Sequence, residues 1–435
     1  MKKPKATLEQ LKQQLKPRRD LRVIWSSNGS STNSGYAVET RDLLFRMARD
    51  NWPVAELAFW GVDGFPIVRH GEDLIDDRFK GVKLKAYPKM DDPYGSDALV
   101  AHGIDYKANV IFTMQDVGLL NPQHLQQLKY WIPWIPIDKF PCPPQVLDRL
   151  RYAYKIITFS RFGQDTLMKA GFTSTLILEG TDPEIFKPLD KTQCKKDLGM
   201  PQDGFIFGMV AANKENPPRK GFQEALEAFK MFYANHPEAY LFIHTQQRGP
   251  GGFPVEDFAR ANGFDKRLIL MVPYQAVFNS DSKKINKEMN CFDVLLHPSQ
   301  TEGFGLTVIE AASAGIPSII NRTTSMPEMV VEGKTGWICE TEKRGRYTND
   351  LSYVYAANVE SLYEKMEESY KSVKERGSEI SKACRDHVVA NYNIDSLYKN
   401  SWEPFLEELQ EEILPLALQG KKDVLPLPQS NISTQ

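Results

Sequence analysis

Two successive series of short apolar runs set the strongest limit on how this chain can fold. LRVIWS (21–26), VAELAFW (54–60), NVIFTM (109–114), WIPWIPI (131–137), KIITFS (155–160) and TLILEG (175–180) each read as a buried strand bounded by turn residues. Between them lie segments of helical period, such as YAVETRDLLFRMARD (36–50), PQVLDRLRYAY (144–154) and GQDTLMKAG (163–171). Such alternation makes βαβ units and a doubly wound α/β domain. The polar stretch FKPLDKTQCKKDLGMPQDG (186–204) then reads as a linker. The alternation restarts with FIFGMVAA (205–212), AYLFIHTQ (239–246), RLILMVP (267–273), DVLLHPS (293–299), PSIIN (317–321) and GWICE (336–340). The helix RKGFQEALEAFKMFYANH (219–236) follows its first strand, and a strongly helical region begins at 358.

This predicts a basic extension (1–19), a first Rossmann-like domain (20–185), the linker, a second such domain (205–390), C-terminal helices (391–418) and a flexible tail (419–435). A length of 435 residues suits two domains with extensions. Two facing sheets of this kind present their strand carboxyl ends to a shared cleft, where ligands bind and from which closure can exclude water.

Composition excludes several classes. The net charge of −2 gives no global pull toward nucleic acid or anionic lipid. No apolar run approaches the roughly 20 residues that span a bilayer. The basic start lacks the apolar core of a secretory signal. Five scattered cysteines fit reduced thiols in a cytoplasmic protein. The seven histidines form no HxH or HExxH spacing, so no local metal site is expected.

One stretch stands apart. In TEGFGLTVIEAASAGIP (301–317) two acids, Glu302 and Glu310, flank a glycine turn and a helix start. Gly303 and Gly305 allow close backbone approach. The helix opening at Leu306 and Thr307 offers free N–H groups and a positive dipole end, which suit phosphate. Small residues around Glu310 leave room for a diol on its carboxylate, as in ribose recognition. The bland alternative has Glu302 complementing the dipole and Glu310 facing solvent.

The pattern E-GFGLTVI-E, with AASAGIP after it, resembles the E-x7-E signature of retaining GT-B glycosyltransferases of family 4. TSMPEMVVEGKTGWIC (324–339) resembles the family stretch after that helix, and the resemblance covers most of 20–415. It implies two Rossmann-like domains facing a central cleft, with C-terminal helices returning to the first. It also implies that Glu310 binds the nucleotide ribose, that Glu302 contacts the donor sugar, and that Gly303, Phe304, Gly305, Leu306 and Thr307 line the donor site. NPPRKGFQEALEAF (216–229) resembles the family's Lys-Gly segment, where a cationic pair stabilises the leaving diphosphate. Lys220 matches the lysine; Arg219 is the favoured partner and Lys214 a second candidate.

Other positions follow from the resemblance or from strand ends. SSTNSGYA (30–37) resembles the family's N-terminal glycine loop, with Gly35 presenting its N–H to the diphosphate or the acceptor. In FSRFGQ (159–164), Arg161 touches phosphate or acceptor, or else forms a structural salt bridge. Asp138 stands where the family often has histidine, and is either a catalytic contact or a turn residue before prolines; Asp116 has the same strand-end logic. His244 ends a strand, and Tyr274 is a nucleobase-pocket candidate. Glu179 replaces the family's usual Asn or His and takes no ligand role; Gly180 and Asp182 set the turn.

The resemblance implies hexosyl transfer with retention from a nucleotide-diphosphate sugar, UDP- or GDP-linked, with no cofactor and no metal. An epimerase, a phosphorylase and a non-catalytic sugar-nucleotide sensor are the alternatives. The acceptor is open: a glycan, a lipid-linked sugar, a protein or, less favoured, a nucleic acid. The basic stretch FKGVKLKAYPKM (79–90) and the N-terminus leave peripheral membrane contact open.

Overall fold

The computed structural model describes residues 18–214, 218–245, 252–271, 281–347 and 350–418. The first sheet has eight strands: β1 (Val23–Asn28), β2 (Val54–Trp60), β3 (Ile67–His70), β4 (Lys83–Pro88), β5 (Val110–Thr113), β6 (Trp131–Ile135), β7 (Ile157–Thr158) and β8 (Thr175–Leu176). Their order is β3-β4-β2-β1-β5-β6-β7-β8, parallel except for the β3–β4 pair. The second sheet is parallel throughout. It contains β9 (Ile206–Val210), β10 (Tyr240–His244), β11 (Leu268–Leu270), β12 (Val294–His297), β13 (Ser318–Asn321) and β14 (Gly336–Cys339), in the order β11-β10-β9-β12-β13-β14. The predicted two-domain α/β architecture is present.

Strand order reverses at β1/β5 in one sheet and at β9/β12 in the other. Crevices outside the carboxyl ends of strands form at such switch points. Each is furnished by local sequence. Ser34 caps the Gly35–Arg49 helix, its Oγ accepting from Ala37 N at 3.2 Å. Ser160 does the same for Arg161–Lys169, accepting from Gly163 N at 3.2 Å. Gly221, at φ +70, begins the turn into Phe222–Asn235.

The C-terminal segment packs on the first domain. Trp402 lies 5.4 Å from the Trp25 ring and 4.9 Å from Trp134. In the Glu403–Leu418 helix, Glu408 and Glu412 pair with Lys155 at 2.7 and 3.0 Å. Buried Arg46 bridges Asp182 at 3.0 Å and Asp395 at 2.9 Å, tying the Gly35 helix to the domain exit and the return segment. Asp182 also accepts from Glu184 N at 2.9 Å, as its turn role predicts.

Three features differ from the sequence reading. The 186–204 segment contains a helix, Lys191–Asp197, capped by Asp190. It is held to the second domain by Leu189 N on Asn290 Oδ1 (2.7 Å) and by Lys191 on Asp293 (2.6 Å). The basic stretch 79–90 holds strand β4, with Lys83 and Lys85 outward and Leu84 and Ala86 buried. An antiparallel hairpin, β15 (Thr341–Arg346) and β16 (Tyr353–Ala357), follows β14. It reaches the first domain through Tyr353 N on Phe140 O (2.9 Å) and Lys139 on Asp350 (2.7 Å).

Candidate active site

The β9/β12 crevice carries the charged centre. Gln300 N donates to Arg219 O at 2.7 Å, so the strand-end segment 298–302 runs beside the turn before Phe222. Approach is this close because Gly221 lacks a side chain; a Cβ there would stand 2.0 Å from Pro298 O. Lys220 Nζ donates to Glu302 Oε1. His297 Nε2 lies 3.1 Å from the same oxygen, and Arg219 Nη1 is 3.7 Å from Oε2. Arg219 also donates to Thr301 O at 3.0 Å.

Burial disfavours a charged Glu302, but Lys220, His297 and Arg219 outweigh it and hold the carboxyl well below its ordinary range. The acid is therefore an anion locked to a cation. Its backbone is set by Thr324 Oγ1, which accepts from Glu302 N at 3.1 Å, and by Ser325 Oγ, which donates to Glu302 O at 2.9 Å and Phe304 O at 2.7 Å.

The Leu306–Ser313 helix opens directly after this turn, with Gly305 at φ +129. Phe304 packs into the core against Tyr392, so only its backbone faces the turn. Thr307 and Leu306 are half-buried at the helix mouth. Gly303 abuts the first domain: a Cβ there would meet Pro136 Cβ at 2.4 Å. Gly35, at the start of the opposite helix, has Leu306 Cδ2 as its nearest neighbour, 3.9 Å from where a Cβ would sit. The glycine loop and the phosphate-type helix start therefore face each other.

Glu310 is buried one turn into the helix. Burial and the neighbouring Asp42, opposed by Arg41, push its carboxyl up to about 8. Glu39 and Glu179 stand beside it, both buried and both raised well above the ordinary range, by burial first; next comes repulsion from Glu179 for Glu39, and from Glu302 and Glu310 for Glu179. Glu39 Oε1 accepts from Gly180 N at 3.0 Å, while its Oε2 has no hydrogen-bond partner. The floor of the cleft is thus a set of protonatable carboxyls around Glu310.

Asp138 lies on the first-domain wall and accepts from Thr301 Oγ1 at 3.2 Å across the cleft. Its carboxyl is raised, chiefly by burial, against the pull of Lys139 and Arg219. Tyr36 donates to Asp116 at 3.3 Å on the same wall.

The remaining candidates are placed differently. The Arg161 side chain is exposed, and it is the Arg161 and Phe162 backbone N–H groups that matter, donating at 2.9 and 2.8 Å to Glu328 of the second domain. Lys214 is exposed beyond β9. His244 is buried against Glu288, with Nδ1 to Oε2 at 2.7 Å, a contact inside the second domain. Tyr274 lies outside the described residues.

His297, Thr324, Ser325 and Glu328 are not singled out by the sequence reading. His297 ends β12, and the strand-end argument applied to Asp138 and His244 would have found it. No local signal marks Glu328 as a cap on a helix of the other domain.

No group of three or more His, Cys, Asp or Glu among the described residues has the geometry of a metal site. No described helix is long and apolar enough to cross a membrane.

Residues 190–373 match the family model described as glycosyl transferases group 1. D-inositol 3-phosphate glycosyltransferase 2 of Catenulispora acidiphila is 25% identical over 174 residues, 40% of this chain and 40% of that protein. The chain thus spans about 40% of the length of the curated relatives it matches. Sucrose-phosphate synthase from Thermosynechococcus elongatus superposes with a TM-score of 0.69 at 16% identity, covering 90% of this chain and 99% of that one. The Anabaena protein HepE in complex with UDP gives 0.63 at 14% identity, covering 89% and 100%. The chain has the GT-B fold of these solved structures, and residues 190–373, which hold most of the second domain, are similar to the glycosyl transferases group 1 family.

Proposed function

We propose that this protein is a retaining glycosyltransferase that moves a sugar from a nucleotide-diphosphate donor to an acceptor hydroxyl, with no metal requirement. The observation that carries the reading is the Lys220–Glu302 pair, seated with Arg219 and His297 at the mouth of the Leu306 helix. Glycosyl transfer breaks the bond between the anomeric carbon and the β-phosphate oxygen. The electron pair leaves with the diphosphate, so the site must stabilise growing negative charge there. Lys220, Arg219 and the N–H groups of the helix start are preorganised to do so, and they supply the positive charge that a metal would otherwise bring.

Glu302 accepts from a sugar hydroxyl while it orients Lys220. Glu310, ionised in the complex, accepts from the two ribose hydroxyls. The acceptor oxygen enters from the Asp138 wall, on the face the diphosphate leaves, and its proton passes to the departing phosphate oxygen. That route gives retention without a protein nucleophile. A UDP-sugar is the first donor to try, because HepE is known in complex with UDP and with UDP-glucose; GDP-sugars come next.

The test is donor-dependent nucleotide release. Purified protein is incubated with UDP-, GDP- and ADP-sugars, with and without EDTA. Release from one donor, unchanged by EDTA, is expected. Release from none, together with no thermal shift by any nucleotide, would overturn the reading.

A further inference from the structure

The β15–β16 hairpin buries little of its own surface: Glu342 to Arg346 are exposed along β15. Its backbone pairing is supplemented from the other domain. Tyr353 N donates to Phe140 O at 2.9 Å, Ser352 Oγ donates to Pro141 O at 2.8 Å, and Lys139 Nζ donates to Asp350 Oδ2 at 2.7 Å. The Lys139 ammonium also lies 4.9 Å from the centre of the Tyr347 ring, and the Phe140 and Tyr353 rings stand 6.4 Å apart. Residues 139–141 of the first domain are thus each engaged by the hairpin of the second.

Both sides of this contact reach the candidate active site. Asp138, directly before Lys139, accepts from Thr301 Oγ1 at 3.2 Å. On the other side Tyr347 Oη donates to Gln300 Oε1 at 3.4 Å, and Gln300 N donates to Arg219 O at 2.7 Å. Through neighbouring residues the hairpin therefore touches the acid on the first-domain wall and the segment that carries Glu302 beside the cationic turn. Asp350 is itself fixed: its Oδ1 accepts from Ser352 N at 3.0 Å while its Oδ2 receives Lys139, and Tyr347 N donates to Ser352 O at 2.9 Å.

The Lys139–Asp350 pair is the charged centre of the contact. Their side chains are 24% and 13% exposed, so solvent screens the two charges little. Burial opposes both ions, yet their partners outweigh it. Asp138 and Asp350 hold the Lys139 ammonium above its ordinary range, and Lys139 and Ser352 hold Asp350 below its own. Removing either partner leaves the other uncompensated in a partly buried place. The other cations of this surface, Lys169 on the Phe140 ring and Lys343 and Arg346 on the Tyr353 ring, make ring contacts outside the pair.

We infer that Lys139 and Asp350 are positioning residues for the transfer site: through them the β15–β16 hairpin straps the two domains together and keeps Asp138 in register with the Lys220–Glu302 centre. The kinetic side of this rests on the glycosyl-transfer reading, and amide exchange separates the two. The Tyr353 N–H reports the strap, because its acceptor is Phe140 of the other domain. In the full chain, Asp350→Asn and Lys139→Met are expected to quicken exchange at Tyr353 about tenfold, while the ladder amides between β15 and β16 keep theirs. Donor-dependent nucleotide release should lose about tenfold in kcat with donor KM unchanged, since Lys220, Glu302 and Glu310 all lie in the second domain. Lys139→Arg keeps the charge, and Arg344→Gln alters a side chain that pairs with Glu342 of its own strand at 3.3 Å; both should match wild type in exchange and in kcat. Unchanged exchange at Tyr353 in Asp350→Asn, or ladder amides that quicken equally, would overturn the strap. Faster exchange at Tyr353 with kcat equal to wild type would overturn the positioning role. Faster exchange at Tyr353 with no nucleotide release from any donor, in wild type as well, would keep the strap and discard the transferase.

Discussion

Lys220 and Glu302 meet through Nζ and Oε1, 82 residues apart in sequence, and the same carboxylate oxygen also receives His297. The arrangement keeps a cation at the helix mouth without leaving either charge uncompensated in a buried place. Lys220→Ala is expected to lower kcat by about 10²–10³-fold, the loss typical of removing one preorganised transition-state contact. Far-UV circular dichroism should not change. A raised donor KM with kcat intact would assign Lys220 to ground-state binding instead.

Glu310 gives a pH signature. Its carboxyl is pushed up to about 8, by burial first and then by Asp42. A carboxyl that holds its proton more tightly folded than unfolded leaves stability intact below the ordinary range near 4.5. Stability is then lost as pH rises toward 8. Glu310→Gln removes that loss, so its Tm should exceed wild type at pH 8.5 and match it near pH 4.5, by about 2–4 °C for each kcal/mol relieved. The variant should also lose donor binding, and kcat/KM of the wild type should rise between pH 6.5 and 8.5 as the carboxylate forms. A flat profile would remove Glu310 from donor recognition.

Two glycines separate folding from domain closure. Gly221→Ala places a Cβ 2.0 Å from Pro298 O at a φ of +70. Backbone strain and clash together should cost more than about 2 kcal/mol, read as a fall in Tm. At Gly303 the obstructing atom, Pro136 Cβ at 2.4 Å, belongs to the other domain. Gly303→Ala should therefore leave Tm nearly unchanged, while small-angle scattering shows a wider molecule and turnover falls about 10²-fold from misplacement across the cleft. A large Tm loss in Gly303→Ala would mean that the two domains do not separate as units.

Glu328 caps a helix that belongs to the opposite domain. Its carboxylate accepts from Arg161 N and Phe162 N at 2.9 and 2.8 Å. Glu328→Ala should weaken closure by about 1 kcal/mol, the usual worth of a cap. Amide exchange at Phe162 would then quicken about fivefold, with kcat reduced and the exchange of β9 and β12 amides unchanged. Unchanged exchange at Phe162 would show that the contact contributes nothing to closure.

The legible parts of the fold are those with a local cause. β2 coincides with VAELAFW, and the Leu306–Ser313 helix with the period after the glycine turn, because burial on a sheet or against a helix leaves its pattern in neighbouring residues. β3 and the β15–β16 hairpin leave no such pattern. IVRH and TEKRGR are mostly exposed, and backbone pairing holds them. At the site, Glu302, Glu310 and Lys220 are legible because a glycine turn and a helix start announce them.

The alternation of apolar runs by itself determined two doubly wound domains, and the stretch TEGFGLTVIE by itself marked where a cluster of charged side chains forms. Only the tertiary structure decided the partners. It set His297 on Glu302, Asp138 against Thr301, Glu328 on the Arg161 helix, and Glu39 and Glu179 around Glu310. His297 lies only five residues before Glu302, but the other groups come from strands and helices far apart in the chain. The contacts of Asp138, Glu328 and Glu310 across the cleft depend on how the two domains close on each other, and no local periodicity encodes that.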